Sequence, residues 1–324
     1  MRSDSVLTSE ACDFLEQWRL AATTVTAYTS GSTGEPKRIE LSKADMIASA
    51  RATDRFFGIC ADSTLYLPLS PGYIAGKMQI VRAEVAGCRL IVVPPSSTVF
   101  NEAAAVPERI DMLPIVPAQL KGLLSSPLAG ATRNVIIGGA PLSAVEEILA
   151  ENAPFAAWVT YGMTETCSHV ALRRVGEEFY TGLPGYGFST DSRGCLVIEN
   201  PEMSFGRLVT NDIVELHSPM AFRWVGRADN VINSGGVKIH PELIERTIST
   251  LLPAGVTFYI AGRQSERWGS EAVIVTDSAE VTDDLLTRLK EILPGAQVPK
   301  AIVRVSSIPR TLSGKILRRR TING

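Results

Sequence analysis

The sequence predicts an α/β protein with two domains. The N-terminal domain is expected to be large, with a helix-covered, mainly parallel sheet, and the C-terminal domain to be a small α+β unit. Up to about residue 160, short apolar runs alternate with helical patterns, which is typical of parallel sheets covered by helices. From Asp229 onwards the order of strands and helices changes. We therefore place the domains at residues 1–228 and 229–324.

Local patterns predict the individual elements in chain order. In the N-terminal part, helices are expected at residues 9–20, after Ser42 and through 78–85, and strands at 24–28, 65–67, 90–93, around Ile136 and around Val159. In the C-terminal part, a helix is expected after Pro241 and at 283–292, and strands at 257–261, 272–276 and 302–305. These lengths are ordinary for a globular α/β chain.

Composition narrows the class of protein. The chain has 324 residues, of which 45% are hydrophobic and 20% are charged, as in a globular protein. Its net charge of −2 argues against nucleic-acid binding, even though three arginines lie together at 318–320. Five cysteines without a Cys-x-x-Cys pair, and only three histidines, give no zinc pattern. No apolar run reaches membrane-spanning length and the start does not resemble a signal peptide, so we expect a cytoplasmic protein that does not insert into membranes.

A segment rich in serine, threonine and glycine follows the first strand. It reads Tyr-Thr-Ser-Gly-Ser-Thr-Gly-Glu-Pro-Lys from Tyr28. Glycines let a backbone turn tightly and approach an anion, hydroxyls supply donors, and a lysine supplies a point charge. The segment differs from a Walker A loop because Pro36 separates the second glycine from the lysine. An ordinary Ser/Gly-rich turn is the alternative; the predicted phosphate ligands are Thr29, Ser30, Gly31, Ser32, Thr33, Gly34 and Lys37.

Three further motifs follow in order. They read Tyr-Gly-Met-Thr-Glu-Thr from Tyr161, Gly-Arg-Ala-Asp-Asn-Val-Ile-Asn-Ser-Gly-Gly-Val-Lys-Ile-His-Pro from Gly226, and Pro-Arg-Thr-Leu-Ser-Gly-Lys ending on Lys315. With the Ser/Gly-rich segment, they resemble the adenylate-forming acyl/aryl-CoA synthetase superfamily of AMP-binding enzymes, over nearly the whole chain. The resemblance implies an AMP-forming acid–thiol ligase that uses ATP, Mg²⁺, coenzyme A and a small carboxylate.

Adenylation brings a carboxylate to the α-phosphate of ATP, so catalysis consists mostly of positioning and charge neutralisation. Glu165 is suited to hold Mg²⁺, because this hard cation takes oxygen ligands and uses the phosphates for others. By resemblance, Thr164 contacts the α-phosphate and Tyr161 stacks on adenine, with Gly162 and Met163 beside it. A helix-start capping pair is the alternative for Thr-Glu, and core packing for the tyrosine.

Further nucleotide contacts are expected around two strand ends. Gly138, Gly139 and Ala140 follow a buried strand and would form the adenine wall, although a tight strand-to-helix turn explains the glycines equally well. By resemblance, Asp212 binds the ribose hydroxyls, although the usual Thr-Gly-Asp has become Thr-Asn-Asp. Arg227 would add a ribose or phosphate contact. A solvated acid and a surface arginine are the alternatives.

The C-terminal domain resembles the mobile lid of the superfamily. By resemblance, Lys315 bridges the carboxylate and the α-phosphate during adenylation. Asp229 occupies the hinge position, so that the lid can rotate, withdraw Lys315 and present another face to the acyl-adenylate. Gly235 and Gly236 would then line the path of the pantetheine arm, and a hairpin turn is the alternative for this pair.

Residues 67–82 resemble the substrate segment of the o-succinylbenzoate:CoA ligases of menaquinone synthesis. In that subfamily an arginine six residues after a glycine binds the second carboxylate of the substrate, and Arg82 lies six residues after Gly76. A helix-surface arginine is the alternative. The remaining predicted substrate residues are Tyr73, Lys77, Ser168 and His169. Relatives carry an extra segment before the phosphate loop, so part of the acyl pocket wall or of a dimer surface is expected to be missing here.

The leading hypothesis is therefore ATP-dependent, two-step ligation of o-succinylbenzoate to coenzyme A through an acyl-adenylate, releasing AMP and pyrophosphate. A ligase for another aryl or acyl acid, or an enzyme that loads a carrier protein, is a second hypothesis. A nucleotide-binding regulatory module without turnover is a third, against which the presence of Glu165 and Lys315 speaks. A homodimer is compatible with the sequence.

Overall fold

The computed structural model describes residues 1–28, 38–96, 99–100, 106–253, 255–310, 316–318 and 321–322. The predicted phosphate loop from Thr29 to Lys37 and the predicted catalytic Lys315 lie outside the described residues. The helices are α1 (Ser9–Arg19), α2 (Lys43–Phe57), α3 (Ile74–Ala86), α4 (Leu120–Leu124), α5 (Leu128–Ala131), α6 (Ala144–Glu151), α7 (Pro241–Ser249) and α8 (Asp283–Ile292). Short 3-10 helices lie at Pro117–Gln119, Thr164–Thr166 and Ala228–Asn230.

The strands are distributed over both parts of the chain. The first nine are β1 (Thr24–Tyr28), β2 (Arg38–Ser42), β3 (Thr64–Leu67), β4 (Arg89–Val92), β5 (Leu113–Ile115), β6 (Asn134–Ile137), β7 (Ala156–Gly162), β8 (His169–Arg174) and β9 (Tyr180–Gly182). The next six are β10 (Gly187–Thr190), β11 (Cys195–Glu199), β12 (Arg207–Ser218), β13 (Ala221–Arg227), β14 (Ile232–Ser234) and β15 (Val237–Ile239). The last four are β16 (Phe258–Ser265), β17 (Gly269–Thr276), β18 (Ile302–Arg304) and β19 (Thr321–Ile322).

Among the described residues, nine strands form one mixed sheet in the order β10-β11-β12-β13-β9-β8-β7-β6-β5. The strands β5, β6 and β7 are parallel, as are β3 and β4, and a bridge between Leu65 and Met112 joins β3 to the chain just before β5. The predicted α/β fold class is confirmed. From β7 onwards the pairing in this sheet is antiparallel, because a short turn and not a helical crossover joins β7 to β8.

The helices α2 and α3 pack against each other. Ser42 caps the start of α2 by accepting a hydrogen bond from the Asp45 amide at 3.4 Å. Each helix stops at a glycine with a left-handed backbone, Gly58 after α2 and Gly87 after α3, both with φ of 67°. The position of α3 fixes where Arg82 lies.

The C-terminal part has its own four-stranded sheet, in the order β18-β17-β16-β19, together with the helices α7 and α8. The described hydrophobic clusters separate between Phe222 and Ile232, with none extending across. The division at residues 228 and 229, and a hinge motion there, stay predictions. Within the described residues, no helix combines the length and the apolar character needed to cross a membrane.

The Gly235-Gly236 pair is the two-residue turn of the hairpin formed by β14 and β15. Both glycines have positive φ, 56° and 83°, which the favoured two-residue hairpin turns require. A side chain at Gly235 would also meet the ring of Trp268, with Cβ 2.7 Å from Cε3. The hairpin alternative is therefore observed, while a path for pantetheine beside this turn stays a prediction.

Candidate nucleotide and substrate site

Asp212 and Tyr161, which the sequence assigns to ribose and adenine, lie in direct contact. The Tyr161 hydroxyl donates a hydrogen bond to Asp212 Oδ2 at 2.8 Å, and the Trp224 indole N–H donates to Oδ1 at 3.2 Å. Asp212 is 7% exposed. Burial, followed by the charge of Asp212, raises the pKa of Tyr161 well above its usual value, so the tyrosine stays a donor. The solvated-acid alternative for Asp212 is excluded by its burial.

The Tyr161 ring is held by aromatic neighbours. It makes edge-on contacts with Phe222, at 5.0 Å between ring centroids, and with Tyr180, at 5.8 Å. Such pairs fix the plane of a ring. Core packing, the alternative for this tyrosine, is therefore observed. The same contacts fix the ring plane that the predicted stacking on adenine would use.

Arg227 joins this pair to the predicted hinge. Its Nη1 lies 3.6 Å from Asp212 Oδ1, and its Nη2 donates to Asp229 Oδ2 at 2.9 Å. Burial acts to lower the pKa of Arg227, but the Asp229 hydrogen bond and the charge of Asp212 outweigh it and raise the pKa. One arginine thus contacts both the predicted ribose ligand and the predicted hinge residue.

The turn between β7 and β8 carries Thr164 and Glu165. Thr166, which is fully buried, closes it: its hydroxyl donates to Ser168 O at 2.8 Å and accepts from the Met163 amide at 3.0 Å. Cys167 has a φ of 61°, a left-handed value that is costly for a residue with a side chain. Strain of this kind persists where the surroundings enforce it, and it is concentrated at functional turns.

Glu165 is exposed on this turn. No group of three His, Cys, Asp or Glu that could hold a metal was found among the described residues. The donor set at Glu165 fits Mg²⁺ nevertheless, because Mg²⁺ is commonly held by one or two carboxylates together with water and the phosphates of a nucleotide. Thr164 is half-buried beside Glu165, and its hydroxyl is a second oxygen-bearing group on the same turn.

Two glycines of the predicted nucleotide site mark close backbone approaches. A Cβ on Gly162 would lie 2.3 Å from Ser168 O and 2.5 Å from His169 Cα. A Cβ on Gly138 would lie 2.5 Å from Thr160 Oγ1, and Gly139 has a φ of 86°. The tight-turn alternative therefore accounts for Gly138 and Gly139 structurally. Ala140, next to them, is exposed, and their role as an adenine wall stays a prediction.

Arg82 is 2% exposed, which excludes the helix-surface alternative. Its Nη2 donates to Ser168 Oγ at 2.6 Å, and its Nη1 donates to Gln79 Oε1 at 3.4 Å. Burial lowers the pKa of Arg82 to about 10, and the nearby charge of Asp54 opposes this shift, so the guanidinium stays protonated at neutral pH. The structure thus brings together Arg82, Ser168 and His169, which the sequence assigns to the substrate.

His169 is buried beside Ser168 and Thr53. Its Nδ1 lies 3.4 Å from Ser168 Oγ and its Nε2 lies 3.2 Å from Thr53 Oγ1, while the Thr53 hydroxyl can donate to Ser49 O at 3.2 Å. With Thr53 donating to Ser49, its oxygen accepts from Nε2–H, which leaves Nδ1 as the acceptor for Ser168. Burial, and then the charge of Arg82, lowers the pKa of His169 well below its usual value, so the ring is neutral.

Tyr73, Gly76 and Lys77 lie at the other end of α3. The Lys77 ammonium is 4.7 Å from the centre of the Phe14 ring in α1, apart from the Arg82 cluster. Tyr73 precedes the helix and is 62% exposed. Gly76 is required by packing, since a Cβ there would lie 2.2 Å from Ser70 O. The structure therefore does not bring Lys77 and Arg82 together.

Asp54 on α2 was not singled out by the sequence. It is 7% exposed, and neither carboxylate oxygen has a hydrogen-bond partner among the described residues. Burial raises the pKa of Asp54 to about 7, and the charge of Arg82 opposes the rise. A lone acid in Ala-Thr-Asp-Arg gives no periodic signal, and the burial of Asp54 depends on how α2 packs on α3.

Asp54→Asn is expected to stabilise the protein at alkaline pH. Between the ordinary pKa of 3.8 and the folded value of about 7 the folded state binds the extra proton, so stability falls as pH rises through this window. The shift sets an upper limit of about 4 kcal/mol, and we expect about 2 kcal/mol after relaxation. Urea unfolding at pH 5 and pH 8 measures it; an equal effect of the substitution at both pH values would contradict the assignment.

Comparisons with known proteins identify the family of this chain. A family model described as AMP-binding enzyme matches residues 15–202, and the chain belongs to this family. A 2-succinylbenzoate--CoA ligase from Bacillus cytotoxicus is 28% identical, over 94% of this chain and 70% of the relative. The enzyme of the same name from Bacillus mycoides is 27% identical over the same shares.

Solved structures give the same picture of the fold. An acyl-CoA synthetase (AMP-forming)/AMP-acid ligase II-like protein from Dyadobacter fermentans is 34% identical, with a TM-score of 0.63, over 95% of this chain and 91% of that one. The O-succinylbenzoate Coenzyme A Synthetase from Bacillus subtilis, in complex with ATP and magnesium ion, has a TM-score of 0.77 at 20% identity, over 93% of this chain and 70% of that one. At 20% identity, the similarity to the Bacillus subtilis structure shows a shared fold and no more.

Proposed function

We propose that this chain is an AMP-forming acid–thiol ligase that joins o-succinylbenzoate to coenzyme A through an acyl-adenylate. The observation that carries the proposal is the buried guanidinium of Arg82, bonded to Ser168 at the end of the turn that bears Thr164 and Glu165. A dicarboxylic acid that is activated at one carboxylate keeps the other, and a buried arginine is a suitable partner for it. The similarity to 2-succinylbenzoate--CoA ligases supports this substrate.

In the first half reaction, the carboxylate oxygen attacks the α-phosphorus of ATP and pyrophosphate leaves. Asp212 accepts from the ribose hydroxyls, and Tyr161 orients both the carboxylate of Asp212 and the base. Thr164 donates to the α-phosphate, and Lys315 stabilises the charge that develops between the two anions. Magnesium held by Glu165 would supply charge neutralisation at the phosphates.

In the second half reaction, the thiol of coenzyme A attacks the acyl carbon and AMP leaves. This step needs Lys315 withdrawn and a thiol admitted, and a rotation at Asp229 would do both. Arg227 contacts Asp229 and Asp212 at once, so it is suited to respond to such a rotation. A narrow pantetheine arm would pass the Gly235-Gly236 turn. A cytoplasmic location is part of this proposal, and the homodimer stays a prediction.

The test is the formation of AMP from ATP with coenzyme A and a panel of carboxylates. We expect o-succinylbenzoate to support turnover far better than mono-carboxylates of similar size. Turnover with another aryl or acyl acid alone would favour the second hypothesis, and transfer to a carrier protein instead of coenzyme A would favour the loading enzyme. Nucleotide binding without AMP formation for any acid would favour the regulatory module.

Lys315→Ala is expected to slow carboxylate-dependent ATP–pyrophosphate exchange by about a hundredfold, the usual cost of losing one donor to a developing charge. Thioester formation from preformed acyl-adenylate should change little, because the lysine is withdrawn in that step. Lys300→Ala, at an exposed lysine of the same part of the chain, is the control. Exchange at the wild-type rate in Lys315→Ala would remove the lysine from its assigned role.

A further inference from the structure

A line of hydrogen bonds runs from the backbone of α2 to the guanidinium of Arg82. The Thr53 hydroxyl donates to Ser49 O at 3.2 Å, and Thr53 Oγ1 lies 3.2 Å from His169 Nε2. On the other side of the imidazole, Ser168 Oγ lies 3.4 Å from Nδ1 and accepts from Arg82 Nη2 at 2.6 Å. Ser49 and Thr53 are fully buried, and His169 is 6% exposed, so water does not compete for the inner bonds.

The first bond of this line fixes the direction of the others. A backbone carbonyl can only accept, so the bond to Ser49 O uses the single proton of the Thr53 hydroxyl. Thr53 Oγ1 is then an acceptor for His169 Nε2–H. Burial, and then the charge of Arg82, lowers the pKa of His169 well below its usual value, so the ring is neutral and carries one proton. Nδ1 is therefore an acceptor, and the Ser168 hydroxyl donates to it.

This arrangement makes Ser168 Oγ an acceptor for Arg82 alone. A hydroxyl that donates one hydrogen bond accepts the next one more strongly, because the bonds of a chain polarise each other. The contact from Arg82 Nη1 to Gln79 Oε1 is long, at 3.4 Å, so the 2.6 Å bond to Ser168 is the tighter hold on the guanidinium. With the His169 proton on Nδ1 instead, Ser168 Oγ would accept from two N–H groups and hold Arg82 less firmly.

We propose that Thr53 is a positioning residue for substrate recognition: its hydroxyl keeps the proton of His169 on Nε2, and through Ser168 this aligns the Arg82 guanidinium for the second carboxylate of the substrate. The proposal rests on the proposed function, since Arg82 is the group assigned to that carboxylate. Thr53 acts through the imidazole and Ser168, and no covalent bond changes. Its effect is therefore confined to acids that carry a second carboxylate.

The first experiment requires no variant, so a variant that fails to fold cannot obscure it. Long-range proton–nitrogen correlation spectra of the ¹⁵N-labelled full chain distinguish the two neutral tautomers of an imidazole by the shifts of its ring nitrogens. The chain has three histidines, so few ring signals need assignment. We expect His169 to be the Nε2–H tautomer at pH 8 in the absence of substrate.

Two substitutions separate the hydroxyl of Thr53 from its volume. Thr53→Val keeps the shape and removes the acceptor for Nε2–H, so we expect the His169 proton to move to Nδ1. For o-succinylbenzoate, KM should rise by about fivefold to tenfold while kcat changes little, because binding of the second carboxylate is weakened and the chemistry is not. Thr53→Ser keeps the hydroxyl and should keep both the tautomer and KM.

The mono-carboxylate 4-oxo-4-phenylbutanoate, which lacks the ring carboxylate, is the matched substrate. Its kcat/KM should stay within about twofold of the wild type in both Thr53 variants. Thr132→Val is the matched variant, since Thr132 is a buried threonine whose hydroxyl also donates to the carbonyl four residues earlier, Leu128 O at 2.7 Å. It should lower thermal stability and leave the ratio of kcat/KM for the two acids unchanged.

The outcomes separate the two proposals. An Nδ1–H tautomer in the wild type, or a wild-type ratio of kcat/KM in Thr53→Val, would overturn the role of Thr53 and leave the proposed function standing. Equal losses in Thr53→Ser and Thr53→Val would also overturn it, because the hydroxyl would then not be the group that acts. Failure of o-succinylbenzoate to support AMP formation in the wild type would overturn the proposed function and the role of Thr53 together.

Discussion

Gly162→Ala is expected to reduce carboxylate-dependent AMP formation by roughly a thousandfold, with the fold retained. The new Cβ would lie 2.3 Å from Ser168 O and 2.5 Å from His169 Cα, and both are backbone atoms that cannot rotate away. The turn between β7 and β8 must therefore move. It carries Thr164, Glu165 and the hydroxyl that meets Arg82, so nucleotide and substrate contacts are displaced together.

The measurement is AMP release under saturating ATP and coenzyme A, with circular dichroism to verify folding. Gly187→Ala is the matched control: this glycine belongs to β10 of the same sheet, and a Cβ there has nothing within 4 Å. We expect the control to retain wild-type activity. If Gly162→Ala also retained activity within about tenfold, the turn would not position the reacting groups.

Local sequence patterns predicted the elements well, because short-range rules decide them. The helix expected at residues 283–292 is observed as Asp283–Ile292, and the strand expected at 24–28 as Thr24–Tyr28. Local patterns could not predict that the strands after β7 pair in antiparallel fashion. The direction of pairing depends on whether a turn or a helix joins two strands, and the turn after β7 also looks like the start of a helix.

For the candidate site, too, some residues were identified by sequence motifs, whereas the surroundings of others are visible only in the structure. The motifs assigned Tyr161, Asp212 and Arg227 to one nucleotide site, and the structure brings Tyr161 and Arg227 close to Asp212. Their contacts with a nucleotide stay predictions. The setting of Arg82 had to come from the structure, since a helix pattern alone does not distinguish an arginine that faces solvent from one enclosed by α2. Asp54 was missed for the same reason, because its burial depends on how α2 packs in the folded protein.

Substitutions at Arg82 are expected to separate recognition of a dicarboxylate from adenylation itself. In Arg82→Met, kcat/KM for o-succinylbenzoate should fall by about a thousandfold, because the second carboxylate would be desolvated without a cation. Arg82→Lys keeps the charge but loses the fork that reaches Ser168 and Gln79, so we expect an intermediate loss of about thirtyfold. For 4-oxo-4-phenylbutanoate, which lacks the ring carboxylate, both variants should stay within about threefold of the wild type.

The ratio of kcat/KM for the two acids is the decisive quantity, because a general loss of packing lowers both values alike. Arg173→Met is the control for removing a partly buried, paired arginine, since Arg173 is bonded to Glu147 and lies over the Tyr180 ring. It should lower thermal stability and leave the ratio unchanged. A ratio that also stays unchanged in Arg82→Met would show that Arg82 serves packing, and the second carboxylate would need another partner. A ratio that falls only in the Arg82 variants would assign discrimination between dicarboxylates and mono-carboxylates to one buried charge on α3.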